Sequence, residues 1–275
     1  MKSVFATIAL AASLSCAAWS ADSARAGSAQ QAPSLHEVSI ASDESYRQGR
    51  YVAMPSVWGR YADPSITGYD NRITIRKSIF PAGTRIYWRF ANRKPLKVAV
   101  NGYNFISYGR YWNIDPEIKI ASTKLSAIQN LELRSHVRLY GDLRYFNLLT
   151  EFFLTKAPRN IETRVAEIGW LQHAPPETLT YFQGGRQIGL YKDKFGQEWL
   201  CASHEDGAAG LYVKFLPKGG RSRLNVTIDA LGSLRWLIAR KIISADTYFN
   251  GAAVGIEPLQ GTGSAIVDRF DVAYR

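Results

Sequence analysis

The sequence predicts an all-β fold, a β-jelly roll made of two stacked antiparallel sheets with one α-helix. Short runs of β-branched and aromatic residues recur along the chain and are separated by turn residues, which is typical of strands. In one run, Leu131–Tyr140, apolar and polar residues alternate with period two, so we expect one face of that strand to be buried and the other to be exposed to solvent. Strands of this kind bury their apolar faces best in a sandwich or jelly roll.

The composition excludes several classes of protein. The 275 residues include only two cysteines, which excludes a disulfide-rich scaffold and a cysteine-based zinc cluster. The four histidines form no HExxH motif, and the chain has no P-loop, no GxSxG motif and no GxGxxG after a strand. We therefore expect neither a metal nor a cofactor.

The first 26 residues have the pattern of a secretory signal peptide. Lys2 provides a positive start, Val4–Ala18 is almost wholly apolar and uncharged, and Ala24-Arg25-Ala26 has the small-x-small form of a cleavage site. The apolar stretch is short for a membrane span, and no later segment approaches the length that a span requires. We expect a secreted or periplasmic protein without a membrane span.

Cleavage after Ala26 would leave two regions. Residues 27–50, which are rich in Ser, Ala and Gln, are predicted to form a flexible arm, and residues 51–275 are predicted to form the folded domain. Cleavage lowers the formal net charge from +11 to +10, because it removes Lys and Arg once each and one Asp. We expect a monomer that adsorbs electrostatically to anionic envelope or wall polymers.

Within the folded domain, one segment is predicted to be a helix and the other regular segments are predicted to be strands. In Asp229–Ile243 the apolar residues recur with a helical period, Asp229 suits an N-cap, and cationic residues lie toward the end. The predicted strands are Arg72–Phe80, Thr84–Phe90, Leu96–Tyr108, Leu131–Tyr140, Tyr145–Leu154, Thr163–Leu171, Glu198–Ala202, Leu211–Leu216, Ala252–Glu257 and Ala265–Ala273.

Three glutamates lie inside predicted strands. Glu151, Glu167 and Glu257 are each flanked by apolar residues. A carboxylate inside an apolar strand is costly unless it faces a cleft or has a partner. Taken singly, each glutamate is also compatible with a solvated strand face. Together, on a sheet rich in aromatic residues, they fit glycoside hydrolysis, in which one carboxylate attacks and another carboxyl group donates a proton.

An ordered set of motifs resembles glycoside hydrolase family 12. Gly255-Ile256-Glu257-Pro258 is similar to the Gly-x-Glu-Pro-Phe stretch that carries the acid/base glutamate of that family. The predicted helix and Tyr248 precede this stretch, as they do in the family. Other segments resemble strands of the family in the same order, from about Ser56 onward: Val57-Trp58-Gly59, Gly102–Gly109, Phe146–Leu154, Gln187-Ile188-Gly189, Gly196–Trp199, Leu211–Phe215 and Ala265–Phe270.

The resemblance implies a jelly roll with a long concave glycan cleft and a polysaccharide substrate. It also implies retaining, endo-acting cleavage of β-1,4-linked glucans such as cellulose, xyloglucan or mixed-linkage glucan. In that mechanism Glu167 is the nucleophile, Glu257 is the acid/base and Glu151 is the supporting carboxylate. Ordinary core packing is the alternative to sugar binding for each aromatic candidate. The aromatic candidates for substrate binding are Trp58, Tyr108, Trp112 and Trp170.

The spacing around the predicted nucleophile departs from the family pattern. The family strand reads Glu-x-Met-x-Trp, whereas Glu167 and Trp170 are only three residues apart, which places them on opposite faces of a regular strand. If Trp170 keeps the family position, Ala166 falls at the nucleophile position and the protein is an inactive glycan binder. If Glu167 keeps its position, a bulge at Gly169 absorbs the difference, and we favour this hypothesis.

Other functions remain possible from the sequence. One is a non-catalytic polysaccharide-binding protein on the same fold. Another is a lyase on an acidic polysaccharide, which would suit the positive charge and use Tyr212 or His173 as its base, although the expected clusters of Arg and His are absent. Nucleic-acid binding is disfavoured, because the basic residues are spread along strands without an Arg-rich run.

Overall fold

The computed structural model describes residues 36–90, 100–206 and 210–275, which lie in one compact unit, Pro33–Arg275. Two β-sheets dominate this unit, which confirms the predicted fold class. In these three ranges, no helix is long and apolar enough to cross a membrane. The predicted signal peptide, residues 1–26, and the first part of the predicted arm lie outside the described residues.

The smaller sheet has six strands, and neighbouring strands in it are antiparallel. In spatial order its strands are β1 (Glu37–Ala41), β4 (Asp70–Arg76), β5 (Thr84–Phe90), β17 (Gly261–Tyr274), β8 (Leu131–Gly141) and β14 (Asn225–Asp229).

The larger sheet has eleven strands, two of which, β7 (Thr123–Lys124) and β15 (Tyr248–Phe249), are short and lie beside the main order. The pair β10–β13 is parallel, which corrects the prediction of wholly antiparallel sheets; the chain crosses over through β11 and β12 before it returns beside β10. The main order is β11 (Arg186–Lys192), β12 (Glu198–Asp206), β13 (Gly210–Pro217), β10 (Arg164–His173), β9 (Phe146–Thr155), β16 (Gly251–Pro258), β6 (Tyr103–Gly109), β3 (Tyr51–Ser56) and β2 (Tyr46–Gln48).

The main core lies between the two sheets, and a second apolar cluster covers the other face of the larger sheet. On β9, Leu148 and Phe152 are fully buried in the main core, whereas Leu149 belongs to the second cluster. This is the alternation expected of a strand. We call the face that carries the second cluster the cleft face; it is defined by Tyr103, Phe105, Leu149, Leu171, Leu216 and Ala253.

The predicted helix is present as α3 (Ala230–Ala239), and its N-cap is confirmed. Gly232 donates its backbone N–H to Asp229 Oδ1 at 3.1 Å. Two further α-helices in the described residues, α1 (Gly59–Ala62) and α2 (Pro176–Gly184), were not expected from the sequence, since α1 is a single turn and α2 contains few apolar residues. Short 3-10 helices cover Leu125–Ala127, Leu143–Tyr145 and Ile161–Thr163.

The strands β1 and β2 correct the predicted arm. Both lie within residues 27–50, so the sheets begin before Tyr51. In β1, Ile40 is buried and pairs with Ile73 on β4. This segment therefore forms a strand by pairing with a partner more than thirty residues away along the chain, which local composition does not indicate.

Candidate active site

The three predicted glutamates lie on three neighbouring strands and face the same side of the larger sheet. Glu151 is on the middle strand, β9, between Glu167 on β10 and Glu257 on β16. The adjacent residues Phe152 and Ile256 are fully buried in the main core. Because successive side chains in a strand alternate between its faces, the glutamates point toward the cleft face.

A cavity of about 370 Å³ opens over these strands. Glu167 and Glu257 line it, whereas Glu151 is only 3% exposed. The cavity is within the size range of small-ligand sites. The other described residues that line it are Trp58, Val100, Asn147, Leu171, Glu177, Thr178, Tyr181, Phe182, His204, Tyr212, Lys214 and Leu259.

A buried lysine joins two of the glutamates. Lys214, on β13, donates from Nζ to Glu151 Oε2 and to Glu167 Oε1, both at 2.8 Å. Its ammonium also lies 3.8 Å from the centroid of the Tyr212 ring. Gly169, its register partner on β10, provides the space, since a Cβ at that position would lie 2.6 Å from the lysine Nζ.

Glu151 is held in its ionised form. Burial opposes ionisation, but the charge of Lys214 and hydrogen bonds from Glu167, Lys214 and Tyr111 outweigh burial, so the pKa of Glu151 lies below its ordinary value. The Tyr111 hydroxyl donates to Oε1 at 2.5 Å. Both oxygens of this carboxylate are therefore occupied by donors, which suits a supporting role better than direct attack on a substrate.

Glu167 has the opposite tendency. Burial, and then the negative charge of Glu151, raise the pKa of Glu167 well above its ordinary value, while Lys214 acts to lower it. Two carboxyl groups this close titrate as a unit. Since Glu151 is the more acidic of the two, a proton held by the pair resides on Glu167.

Glu257 has a pKa suited to proton transfer. Burial and the negative charge of Glu151 raise the pKa of Glu257 to about 7, against the opposing effects of Lys214 and Asn147. Asn147 donates from Nδ2 to Glu257 Oε2 at 3.0 Å, and Thr178 on α2 donates to Asn147 Oδ1 at 2.7 Å. A carboxyl group oriented in this way can donate and accept a proton near neutral pH.

The predicted bulge at Gly169 is wrong. Residues from Ala166 to Leu171 pair without interruption with β9, and the register shifts fall at Val165 and Gln172 instead. Gly169 lies in regular strand, and the absence of its side chain makes room for the lysine described above. Glu167 faces the cleft because the strand alternates regularly from Ala166 to Leu171.

Trp170 is a core residue, so its predicted contact with substrate is wrong. It is fully buried between the sheets, where its ring stacks on Phe215 with centroids 5.3 Å apart and an interplanar angle of 10°. Ala166 also belongs to the main core. The hypothesis that Ala166 takes the nucleophile position therefore fails, because in a regular strand Glu167 alone of the two faces the cavity.

The other three aromatic candidates have three different surroundings. Trp58 is 41% exposed and lines the cavity with Glu167 and Glu257. Tyr108 is buried in the main core against Tyr51, so its predicted contact with substrate is wrong; an even-numbered residue on β6 faces the smaller sheet. Trp112 is exposed but packs against Phe153 and the guanidinium of Arg164, outside the cavity.

Helix α2 forms one wall of the cavity. Phe182 packs into the apolar cluster of the cleft face, and the ring of Tyr181 stacks on His204 with centroids 4.0 Å apart and an interplanar angle of 13°. Sequence analysis missed these residues because it did not predict the helix. A signal was present, since Pro176 and Glu177 are typical of a first helical turn.

Lys214 is the main site residue that sequence analysis missed. The stretch Leu211-Tyr212-Val213-Lys214-Phe215 places a charged residue inside an apolar strand, which is the same signal that identified the three glutamates. Applied to cations as well as anions, that criterion would have selected it.

The geometry does not favour a lyase. No arginine is present among the described residues that line the cavity, so none of them is suited to neutralise a substrate carboxylate there. His173 is engaged by Ser222 Oγ at 2.8 Å and by the carbonyl oxygen of Leu143 at 2.7 Å, outside the cavity. Tyr212 does line the cavity, but burial raises its pKa well above the ordinary value.

Comparison with known proteins identifies solved structures with a similar fold. No family model matches the chain, and no curated protein matches it. Among solved structures, a family 12 xyloglucanase from Bacillus licheniformis aligns with a TM-score of 0.69 at 15% identity, covering 86% of this chain and 100% of that chain. Trichoderma harzianum endoglucanase 3 from family GH12 aligns with a TM-score of 0.69 at 14% identity, covering 89% of this chain and 100% of that chain.

A third match is the catalytic domain of Humicola grisea Cel12A, solved with a soaked thio cellotetraose. It aligns with a TM-score of 0.69 at 13% identity, covering 86% of this chain and 99% of that chain. These alignments span nearly the whole of each solved structure, so the described chain shares their jelly-roll fold.

Proposed function

We propose that the protein is a glycoside hydrolase that cleaves β-1,4-linked glucans by a retaining double displacement. The observation that carries the proposal is the partly buried Glu257, with its pKa near 7, beside the Glu151–Glu167 pair at one cavity. Retaining enzymes need one carboxyl group that keeps its proton and one carboxylate that attacks. The similar structures named xyloglucanase and endoglucanase support β-glucan as the class of substrate.

In the proposed first step, Glu257 and Glu167 act together. The Glu257 carboxyl group donates its proton to the glycosidic oxygen, and the C–O bond to the leaving sugar breaks. The Glu167 carboxylate attacks the anomeric carbon from the other side and forms a covalent glycosyl ester. Glu151 accepts hydrogen bonds from Lys214 and Tyr111, and these two contacts hold the Glu151 carboxylate in place beside Glu167.

In the proposed second step, Glu257 acts as a base. Its carboxylate takes a proton from a water molecule while the water oxygen attacks the anomeric carbon. The ester bond to Glu167 breaks, and the sugar leaves with its original anomeric configuration. The pKa near 7 suits Glu257 to both steps, because neither its acid nor its base form is strongly favoured at neutral pH.

The proposed substrate contacts and setting follow from the cavity and the sequence. Trp58 would stack on a sugar ring, because it is exposed and lines the cavity with both catalytic glutamates. We further propose that the enzyme is endo-acting and is secreted or periplasmic, with residues 1–26 as its signal peptide. Its positive charge would hold it on anionic polymers near the substrate.

A non-catalytic glycan binder is the second candidate function. The observation in its favour is the raised pKa of Glu167, since a protonated Glu167 cannot attack a sugar. On this alternative the protein binds β-glucan at the same cavity but releases no product.

The test is an assay of the purified protein on cellulose, xyloglucan and mixed-linkage glucan, with release of reducing ends as the readout. We expect turnover, and we expect Glu167→Ala and Glu257→Ala each to lower kcat by about a thousandfold or more. The matched control is Glu198→Ala, which removes a surface glutamate paired with Lys218. Hydrolysis that persists in both cavity variants would refute the assignment, and binding without turnover in the parent protein would identify a glycan binder.

Rescue with azide distinguishes the two glutamates. In Glu167→Ala, azide on an activated aryl β-glucoside should yield the α-glycosyl azide, because a single displacement inverts the anomeric carbon. In Glu257→Ala, the ester still forms, so azide should yield the β-glycosyl azide. Products of the opposite configuration would mean that Glu257 is the nucleophile and Glu167 is the acid/base.

A further inference from the structure

The proposed catalytic steps use the one buried cation of the described cavity lining, Lys214, only as a hydrogen-bond donor to Glu151. Lys214 is 3% exposed, and its Nζ contacts both Glu151 and Glu167 at 2.8 Å. No step proposed above transfers a proton to or from this ammonium. Burial disfavours its charge, but the two carboxylates keep the pKa of Lys214 well above its ordinary value, so it is a cation.

Stability alone does not account for this arrangement. Moving an ammonium and its carboxylate partners out of water is costly, and apolar residues of similar volume often replace buried ion pairs with no loss of stability. The neighbouring strand β10 also carries a glycine rather than a bulky apolar residue beside the lysine, and Gly169 leaves the space that the lysine occupies. A buried cation with a dedicated space is better explained by its effect on the two carboxylates.

The charges show what that effect is. Attack on a sugar requires Glu167 to be ionised beside an ionised Glu151, and two adjacent buried carboxylates repel each other strongly. With Lys214 between them, the net charge of the ionised site is −1, whereas the two carboxylates alone would carry −2. The ammonium also fixes one oxygen of each carboxylate by a hydrogen bond.

We infer that Lys214 is a positioning residue that favours the ionised form of Glu167 and orients it for attack, while Glu257 retains the catalytic proton. This inference rests on the proposed hydrolase function. The titratable groups that face the ammonium or its carboxylate partners are Glu151 on β9, Glu167 on β10, Tyr212 on β13, Glu257 on β16, Tyr103 on β6 and Tyr111 beyond it. Among these described groups, Lys214 is the one cation.

Removal of the cation should move the acidic limb of the pH profile. In Lys214→Met, nothing offsets the charge of Glu151, so Glu167 should ionise only at higher pH and the acidic limb of kcat/KM should shift upward by about one unit or more. Lys214→Arg restores a cation and should return the limb toward that of the parent protein. A purely structural lysine would affect stability but leave the limb in place.

A charge-balanced double variant guards against failure to fold. Lys214→Met alone leaves the buried Glu151 and the partly buried Glu167 without a cation, which is strongly destabilising. Lys214→Met combined with Glu151→Gln removes one charge of each sign and leaves Glu167 as the remaining charge of the three. Its acidic limb should lie below that of Lys214→Met, because the negative charge that raises the pKa of Glu167 is absent.

A second measurement does not depend on turnover. Carbon-13 NMR titration of the glutamate carboxyl groups, with Glu167 assigned through Glu167→Gln, reports its ionisation directly. We expect Glu167 to titrate at higher pH in Lys214→Met than in the parent protein. If the parent hydrolyses no glucan but this shift is present, the proposed function fails and the role of the lysine in ionisation stands. If Glu167 titrates identically with and without the lysine, the inference is overturned whatever the activity.

Discussion

Lys214 Nζ lies 2.8 Å from Glu167 Oε1, although the two residues are not register partners. The partner of Glu167 on β13 is Tyr212, and Lys214 is the partner of Gly169. The lysine side chain therefore extends diagonally over the glycine to reach the glutamate. A contact of this kind requires the two parallel strands and the missing side chain together, so it links the topology of the larger sheet to the chemistry of the cavity.

The first prediction concerns that glycine. In Gly169→Ala, the added Cβ would lie 2.6 Å from Lys214 Nζ and 2.9 Å from its Cδ, so the lysine must move. We expect kcat to fall about tenfold or more and the acidic limb of the pH profile to shift upward, as in Lys214→Met. The measurement is kcat/KM against pH on a soluble β-glucan.

Gly184→Ala is the matched control for this substitution. Gly184 lies at the end of α2, and a Cβ there meets no heavy atom within 4 Å. This variant should retain the parent activity and pH profile. If Gly169→Ala also left both unchanged, the lysine would not need its present position for catalysis.

The second prediction concerns the pH dependence of stability. A folded-state pKa of about 7 for Glu257, against an ordinary value of 4.5, means that the folded protein binds more protons than the unfolded chain between these pH values. The contribution of Glu257 to stability is therefore present below pH 4.5 and is lost as pH rises to about 7. The loss is on the order of 3 kcal/mol.

Glu257→Gln isolates this contribution, because an amide keeps an oxygen for the hydrogen bond from Asn147 but does not titrate. Denaturant unfolding of the parent protein and the variant should give a difference in unfolding free energy that moves in favour of the variant as pH rises from 4.5 to 7. A difference that does not change with pH would place the pKa of Glu257 at its ordinary value.

The third prediction separates Trp170 from the site. Its ring is fully buried against Phe215, so Trp170→Phe should lower the unfolding free energy by about 1–3 kcal/mol and leave KM unchanged. Denaturant unfolding and steady-state kinetics on one β-glucan measure the two effects. A large rise in KM with unchanged stability would return Trp170 to the list of substrate contacts.

The three glutamates could be predicted from the sequence because each is a charge inside an apolar run, and the fold class because strand-like runs recur between turn residues. Glu151 and Glu257 stand out as charges in apolar runs, and strand alternation places them on one face. The same rule, applied without a bulge, also places Glu167 correctly. The predicted bulge at Gly169 is wrong because it follows from the Glu–Trp spacing of glycoside hydrolase family 12, whereas this strand alternates regularly from Ala166 to Leu171.

The remaining features depend on contacts between distant segments. Whether Tyr108 faces the smaller sheet or the cavity is decided by the register of β6 with its neighbours, which its own sequence does not specify. The pairing of Lys214 with Glu151 joins residues 63 positions apart, on strands separated by β10. Local patterns carry no information about such partners.

The fourth prediction concerns the positive charge of the chain. A formal net charge of +11, or +10 without residues 1–26, should retain the protein on an anionic polysaccharide matrix such as polygalacturonate at low ionic strength. Retention should fall steeply with added salt, because the Debye length shortens from about 10 Å at 0.1 M to about 3 Å at 1 M. A neutral glucan matrix is the control. Retention on polygalacturonate that is indifferent to salt would assign the charge to solubility alone.

The last prediction compares two exposed tryptophans. Trp58 and Trp112 are 41% and 44% exposed, but only Trp58 lines the cavity with Glu167 and Glu257. Loss of a ring that stacks on a sugar should weaken binding by roughly 1–1.5 kcal/mol, or about five- to fifteenfold in Kd. We therefore expect Trp58→Ala to raise the Kd for a β-glucan oligosaccharide by this factor, measured by calorimetry, and Trp112→Ala to leave it nearly unchanged. If Trp112→Ala had the larger effect, the glycan would lie along the far end of the sheet, beyond the cavity that holds the glutamates.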